Sequence, residues 1–159
     1  MPLKIREAIP EDSQTIFDFI MELAIYEKLP NEVKTTVEEI KESIFASNST
    51  VKALICEEDE TAIGYAVYFY NYSTWLGKNG IYLEDLYVSE SKRGIGAGKA
   101  MLKYLAQKAL SENCGRFEWA CLDWNTPSRK FYESFGAVPQ TQWIGYRLEG
   151  ETLEKFANN

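Results

Sequence analysis

The sequence runs to 159 residues, 45% hydrophobic and 26% charged, enough for one domain with a real core and too little for two ordinary ones. A net charge of −7 removes the overall basic footprint that a general nucleic-acid binder needs. The absence of histidine removes Ser–His and Cys–His nucleophile pairs and the commonest zinc ligand, so no metal is expected and any general base must be Asp, Glu, Tyr or an amine.

Residues 3–8 alternate as a short strand, and Pro10-Glu11-Asp12 opens a helix with Pro and acids in its first turn. Ile16, Phe17, Ile20, Leu23 and Ala24 keep a 3.6 period to about Tyr26. Pro30 and Asn31 break it, and Thr36-Val37-Glu38-Glu39 is a capping box for a second helix with Val37, Ile40 and Ile44 inward. Val51–Cys56, Ile63–Tyr72 and Ile81–Ser89 read as three strands of an antiparallel meander. The acidic run Glu57–Glu60 forms the first turn, and Trp75–Gly80 the second. Gly94, Gly96 and Gly98 then precede a helix to about Glu112, with Met101, Leu102, Leu105 and Ala109 inward, followed by a strand at Phe117–Leu122. Strand, helix, strand here is a crossover, so these two strands should be parallel neighbours. Pro127 starts a short helix that ends at Gly136, Trp143–Leu148 is a last strand, and Glu151–Phe156 a terminal helical turn. No linker or repeat interrupts the chain, so one domain over 1–159 is expected.

Cys56, Cys114 and Cys121 are widely spaced with no C-x-x-C, which fits a reducing compartment. The first residues have no leader core, and the most apolar run, Ile63–Tyr70, is too short to span a bilayer. A cytoplasmic protein with no membrane and no nucleic-acid partner is expected.

The chemistry concentrates in Tyr82-Leu83-Glu84-Asp85-Leu86-Tyr87-Val88, followed by Lys92-Arg93-Gly94-Ile95-Gly96-Ala97-Gly98-Lys99 at a helix start. Glycines let backbone approach an anion, and helix-start N–H groups with the helix dipole favour negative charge. A phosphate is the guest these residues suit, although glycines also turn and cap chains. Neither the P-loop nor the Rossmann pattern is present. Arg93-x-x-Gly96-x-Gly98, with Trp124-Asn125-Thr126-Pro127-Ser128 and Phe131-Tyr132-Glu133-Ser134-Phe135-Gly136-Ala137 downstream, resembles the two hallmarks of the GNAT acetyltransferases. Tyr82–Asp85, Tyr72–Trp75, Leu23–Leu29 and Leu122–Asn125 resemble the spermidine/spermine (diamine) acetyltransferase subfamily, nearest its thialysine-acetylating branch.

The resemblance implies an α/β fold: a mixed, mostly antiparallel sheet with a splayed parallel pair in its second half and helices on both faces. It implies direct acetyl transfer from acetyl-CoA to a primary amine. A free alkyl amine has a pKa of about 10.4 and must lose a proton before attack, while a leaving thiolate of pKa about 8.5 benefits from a proton donor. The developing oxyanion needs an N–H donor. Glu84 is the candidate base, acting directly or through water. Strict alternation puts Glu84 and Asp85 on opposite faces, so the two should not share one role. Tyr132 is the candidate acid by the resemblance; read alone, Phe131, Tyr132 and Phe135 also fit a packed helix face. Val88 should offer its N–H to the acetyl carbonyl, because the resemblance implies a bulge in this strand that splays it from its parallel neighbour and frees such groups; Leu86 and Tyr87 should line the pantetheine arm, and Asn125 and Ser128 should hold CoA on the other side of the splay. By the same resemblance, Arg93, Gly94, Ile95, Gly96, Ala97, Gly98 and Lys99 should form the pyrophosphate loop. Tyr26, Glu27, Glu84, Asp85, Glu118 and Trp119 match amine-pocket positions, and Trp75 could contact a cationic chain. Glu27 also fits a solvated helix end.

Two departures matter. Ile144 stands before Gly145-Tyr146, and Ser73-Thr74 before Trp75, where the polyamine enzymes carry acids. Their loss favours a shorter diamine or a lysine-like amino acid, whose carboxylate would be poorly received among extra acids. The alternatives are an enzyme acting on protein or peptide amines and a non-catalytic acetyl-CoA-binding module. The resemblance further implies a homodimer.

Overall fold

Five strands form one sheet in the order β1-β2-β3-β4-β5 in a computed structural model that describes residues 2–159. The strands are β1 (Leu3–Glu7), β2 (Val51–Glu58), β3 (Thr61–Ser73), β4 (Lys78–Val88) and β5 (Phe117–Trp119). The first four pair antiparallel, and β4 pairs with β5 in parallel, as the crossover requires. Helices α1 (Ser13–Tyr26), α2 (Val37–Phe45) and α3 (Ala97–Ser111) belong to the same unit, which extends to Ala120. A second unit, Cys121–Asn159, holds α4 (Thr126–Ser134) and α5 (Gly150–Asn158).

Residues directly opposed across an antiparallel ladder share a face. The register therefore puts Ala53, Ile55, Tyr65, Val67, Asp85 and Tyr87 on one side of the sheet. Ile16 and Phe19 of α1 and Ile44 of α2 close over that side to make the main core cluster. Phe19 stacks on Tyr65 with ring centroids 5.5 Å apart. The apolar stripe of α1 is thus wider than the positions named from sequence, with Phe19 more buried than Phe17. On the other side α3 buries Met101, Leu102 and Leu105, and Met101 lies against Gly64.

The local signals act largely as expected. Thr36 caps α2 by accepting the Glu39 N–H at 3.1 Å. Before α1, Pro10–Asp12 form a separate turn, and Asp12 binds Arg6 rather than only facing a helix dipole. The β2–β3 turn is a two-residue loop, Asp59-Glu60, both with positive φ, the twist a tight hairpin requires. Gly136 (φ +97°) ends α4: its N–H bonds Glu133 O while Ala137 N–H bonds Tyr132 O.

Three elements differ from expectation. β5 stops at Trp119 instead of Leu122, because its partner leaves it. Along β3 the register shifts between Val67 and Tyr68, which face Asp85 and Leu83, so Glu84 is an extra residue in β4. Such a bulge bends its strand. The parallel pairing covers only Ile81–Leu83, and from Glu84 to Val88 the β5 side of β4 has no strand partner among the described residues: the parallel pair is splayed. The second difference is Trp143–Leu148, which forms no strand. Alternation makes a strand only where a neighbour supplies a ladder. The Cys121–Asn159 unit contains helices and no other strand, and Tyr146 is 94% exposed. At the C-terminus the expected turn is a full helix, α5.

Candidate active site

The bulge, the core and the end of α1 converge on one group of carboxylates. Asp85 follows the bulge and faces the α1 side, where the Tyr65 hydroxyl donates to its Oδ2 at 2.6 Å. Tyr65 itself is 0% exposed. Burial pushes the Asp85 carboxyl above its ordinary value, while the tyrosine bond pulls the other way. Glu27, just past the last turn of α1, is also pushed up, first by burial and then by the charge of Asp85. Glu84 is exposed, and its charge reaches both Tyr65 and Tyr82. Tyr82 pairs with Phe69 on the α1 side, so across the bulge Tyr82 and Asp85 share a face that strict alternation would separate. Several carboxylates gathered in one place, two of them raised by burial, are a group whose charge a cation could neutralise.

Beside this group is a cavity of about 350 Å³ lined by Glu22, Ile25, Tyr26, Tyr87, Glu90 and Arg93. The Arg93 guanidinium lies 5.0 Å from the Tyr26 ring centre and 5.3 Å from that of Tyr87, and its Nε donates to Val88 O. Tyr87 is buried on the α1 side and donates to Glu22. Leu86 points to the opposite side of the sheet. Farther along β4, Glu118 of β5 accepts from Asn71 Nδ2 and pairs with Arg116 Nε, each at 3.1 Å on the same oxygen, with Trp119 stacked against Phe117. Trp75, at the tip of the β3–β4 hairpin, is 85% exposed. Glu22, Tyr65 and Asn71 were not singled out in the sequence. Tyr65 carried a usable signal, its place two residues from Val67 on one face of an aromatic strand.

The glycine loop has the conformation an anion site needs. Gly94 and Gly96 have φ of +87° and +90°, which L side chains rarely adopt. Nothing lies within 4 Å of a Cβ at either, so the loop is open toward solvent or ligand. Gly96 caps α3 without a side-chain bond to its first turn, leaving the early N–H groups for a guest. Ala97 is buried, Ile95 and Lys99 are exposed, and Gly98 lies near Val88. Lys92 is held by Glu58 at 2.6 Å.

In the Cys121–Asn159 unit, buried Asn125 caps α4 by accepting the Ser128 N–H. Tyr132 is half-buried and sits with Phe131 and Phe135 in an aromatic group on that helix.

The sequence profile of the acetyltransferase (GNAT) family matches residues 17–137. A thialysine N-epsilon-acetyltransferase of Mus musculus is 36% identical over 97% of this chain and 96% of its own length. A spermidine/spermine N(1)-acetyltransferase-like protein of Homo sapiens is 32% identical over 91% of this chain and 22% of its own length. Among solved structures, an integron cassette protein from the mobile metagenome of V. cholerae superposes with a TM-score of 0.84 at 28% identity, covering 100% of this chain and 99% of that one.

Proposed function

The chain belongs to the acetyltransferase (GNAT) family and is an N-acetyltransferase, and from that premise we propose that it acetylates a primary amine of a small cationic molecule, a short diamine or a lysine-like amino acid. The observation that carries this reading is the set of carboxylates Glu27, Glu84 and Asp85 around the Tyr65 hydroxyl. A substrate with two ammonium groups offers one to react and one to be held. In this reading Asp85 and Glu27 take the cationic substrate, with Tyr26 beside them and Trp75, Glu118 and Trp119 as further wall. The similarity to the thialysine N-epsilon-acetyltransferase of Mus musculus supports the same substrate class.

The open backbone of the glycine loop fits the pyrophosphate of acetyl-CoA. Gly94, Ile95, Gly96, Ala97, Gly98 and Lys99 would hold it, with Leu86, Tyr87, Val88, Asn125 and Ser128 along the rest of the molecule. Arg93 would join them only by leaving the two tyrosine rings it now covers. Bound acetyl-CoA supplies the acetyl group as an activated thioester. Glu84 removes the proton from the ammonium group, directly or through water, since the ionised amine has no lone pair to attack with. The Val88 N–H, on the stretch of β4 that β5 does not pair, stabilises negative charge on the acetyl oxygen. Tyr132 returns a proton to the leaving sulfur; its assignment rests on the sequence motif. No metal takes part in the scheme. The family match covers residues 17–137, which include parts of both units.

The test is thiol release from acetyl-CoA with thialysine, lysine, ornithine, putrescine, spermidine and an amine-bearing peptide. Turnover on a small amine, lost about 100-fold or more in Glu84→Gln and Tyr132→Phe, is the expected result. Turnover on the peptide alone would refute the substrate class. Full activity in Glu84→Gln would refute its role as base.

A further inference from the structure

Tyr65 has more chemistry than its place in the core requires. Its ring packs with Phe19, Ile16, Ile55 and Val67, a task that a phenylalanine would perform as well. A buried hydroxyl must instead find a partner, and this one finds Asp85 at 2.6 Å. Tyr65 opposes Tyr87, and Asp85 opposes Val67, so the two are diagonal neighbours on one face of the β3–β4 ladder. Among the described residues no other side chain hydrogen-bonds the Asp85 carboxylate.

We propose that Tyr65 is a positioning residue for the amine substrate: its hydroxyl, fixed by the core, binds one oxygen of Asp85, sets the orientation of that carboxylate and leaves the other oxygen for the substrate's ammonium group. The inference rests on the reading of Asp85 as an amine-binding group. The physical need is clear. Asp85 directly follows the bulge residue Glu84, where the alternation that normally aims strand side chains is broken. A hydrogen bond from a rigid neighbour restores a single orientation. Because tyrosine donates to the ionised form, it also keeps the carboxylate charged against the burial that opposes ionisation. The other titratable groups facing this cluster are Glu27 at the end of α1 and Glu84 on β4 itself. Across the sheet edge, Arg93 is engaged with Tyr26 and Tyr87.

The experiment compares the wild type, Tyr65→Phe, Asp85→Asn and the double variant, by steady-state kinetics with the best amine of the panel over a range of pH. Site-resolved carbon NMR of the Asp85 carboxyl accompanies it in the wild type and Tyr65→Phe. In Tyr65→Phe the amine KM should rise about tenfold, with kcat and the acetyl-CoA KM within about twofold. The Asp85 carboxyl should titrate at higher pH than in the wild type, and amine binding should weaken from a correspondingly higher pH downward. The double variant should show the amine KM of Asp85→Asn alone, because the hydroxyl acts through that carboxylate. A raised KM in Asp85→Asn with an unchanged KM in Tyr65→Phe overturns the inference and spares the reading of Asp85. An unchanged KM in Asp85→Asn overturns both. Should Tyr65→Phe fail to fold, the double variant decides: equality with Asp85→Asn supports the inference, and a further rise overturns it.

Discussion

Asp85 is a group the fold tolerates at a cost, and replacing it should make the protein more stable while harming the proposed amine site. Its carboxylate is partly buried, no lysine or arginine pairs with it among the described residues, and the charges of Glu27 and Glu84 lie in the same neighbourhood. One charged hydrogen bond, from Tyr65, offsets that cost at about 1.5–3 kcal/mol. Asp85→Asn keeps an oxygen for the Tyr65 hydroxyl and removes the charge. The expected gain is about 1 kcal/mol at pH 7, within the range of about 0.5–2 kcal/mol usual for relieving a single unfavourable group. For a chain of this size that raises Tm by about 2–4 °C.

The pH dependence has a definite sign. Asp85's carboxyl lies above its ordinary value of 3.8 in the folded protein. Below 3.8 both folded and unfolded forms are protonated there, and the wild type carries no penalty. As pH rises through 3.8 and then through the folded value, the unfolded chain ionises first and the penalty grows to its full size. Thermal melts of wild type and Asp85→Asn at pH 4 and pH 7 should therefore show the larger gap at pH 7. A saturating dicationic amine should raise the wild-type Tm and close that gap; at 100 times Kd the ligand contributes about 2.7 kcal/mol. A lower Tm for Asp85→Asn at pH 7, or a gap that widens on acidification, would show that the carboxylate is already compensated and refute the reasoning.

Two other positions give opposite signs or separate readouts. Asp12 is bound to Arg6 at 2.7 and 2.9 Å and accepts the Ile9 N–H, so Asp12→Ala should cost about 2 kcal/mol, a fall of about 4–8 °C in Tm. Because Arg6 holds the Asp12 carboxyl below its ordinary 3.8, this contribution is present above that value and fades as pH falls through the lower folded one; melts at pH 3 and pH 7 that differ equally from wild type would contradict it. Gly96→Ala forces an L side chain to φ of +90°, at a cost of about 1–2 kcal/mol, and should raise the acetyl-CoA KM about tenfold with the amine KM unchanged. An unchanged acetyl-CoA KM in the folded variant would remove the loop from the cofactor site.

What could be read in the sequence was what local chemistry decides. Thr36 caps α2 and Gly136 closes α4 because each bond spans three to five residues. The meander and the β4–α3–β5 crossover follow from alternation giving way to glycines and a helical period. The illegible parts depend on partners distant in sequence. Trp143–Leu148 alternates like a strand, yet alternation does not supply the neighbouring edge that would make it one. Tyr65 looked like one aromatic among several in a long strand; only the register shows that it reaches Asp85. Arg93 matched a phosphate loop by spacing, while its position over Tyr26 and Tyr87 depends on where α1 ends.

The bulge that the family resemblance implies in β4 falls at Glu84, a position that only the pairing with β3 fixes. Counted along β4 alone, Glu84 and Asp85 must alternate; counted against β3, one residue is surplus. That single insertion has two consequences at once. It breaks strict alternation along β4, and the charge of Glu84 reaches Tyr65, the residue that binds Asp85. It also bends β4 where the pairing with β5 stops, and from Glu84 to Val88 that side of β4 has no strand partner among the described residues. The proposed reading asks this strand for a base at Glu84, a cation-binding carboxylate at Asp85 and an N–H donor at Val88. The three proposed positions lie within five residues of β4, from Glu84 to Val88, starting at the bulge.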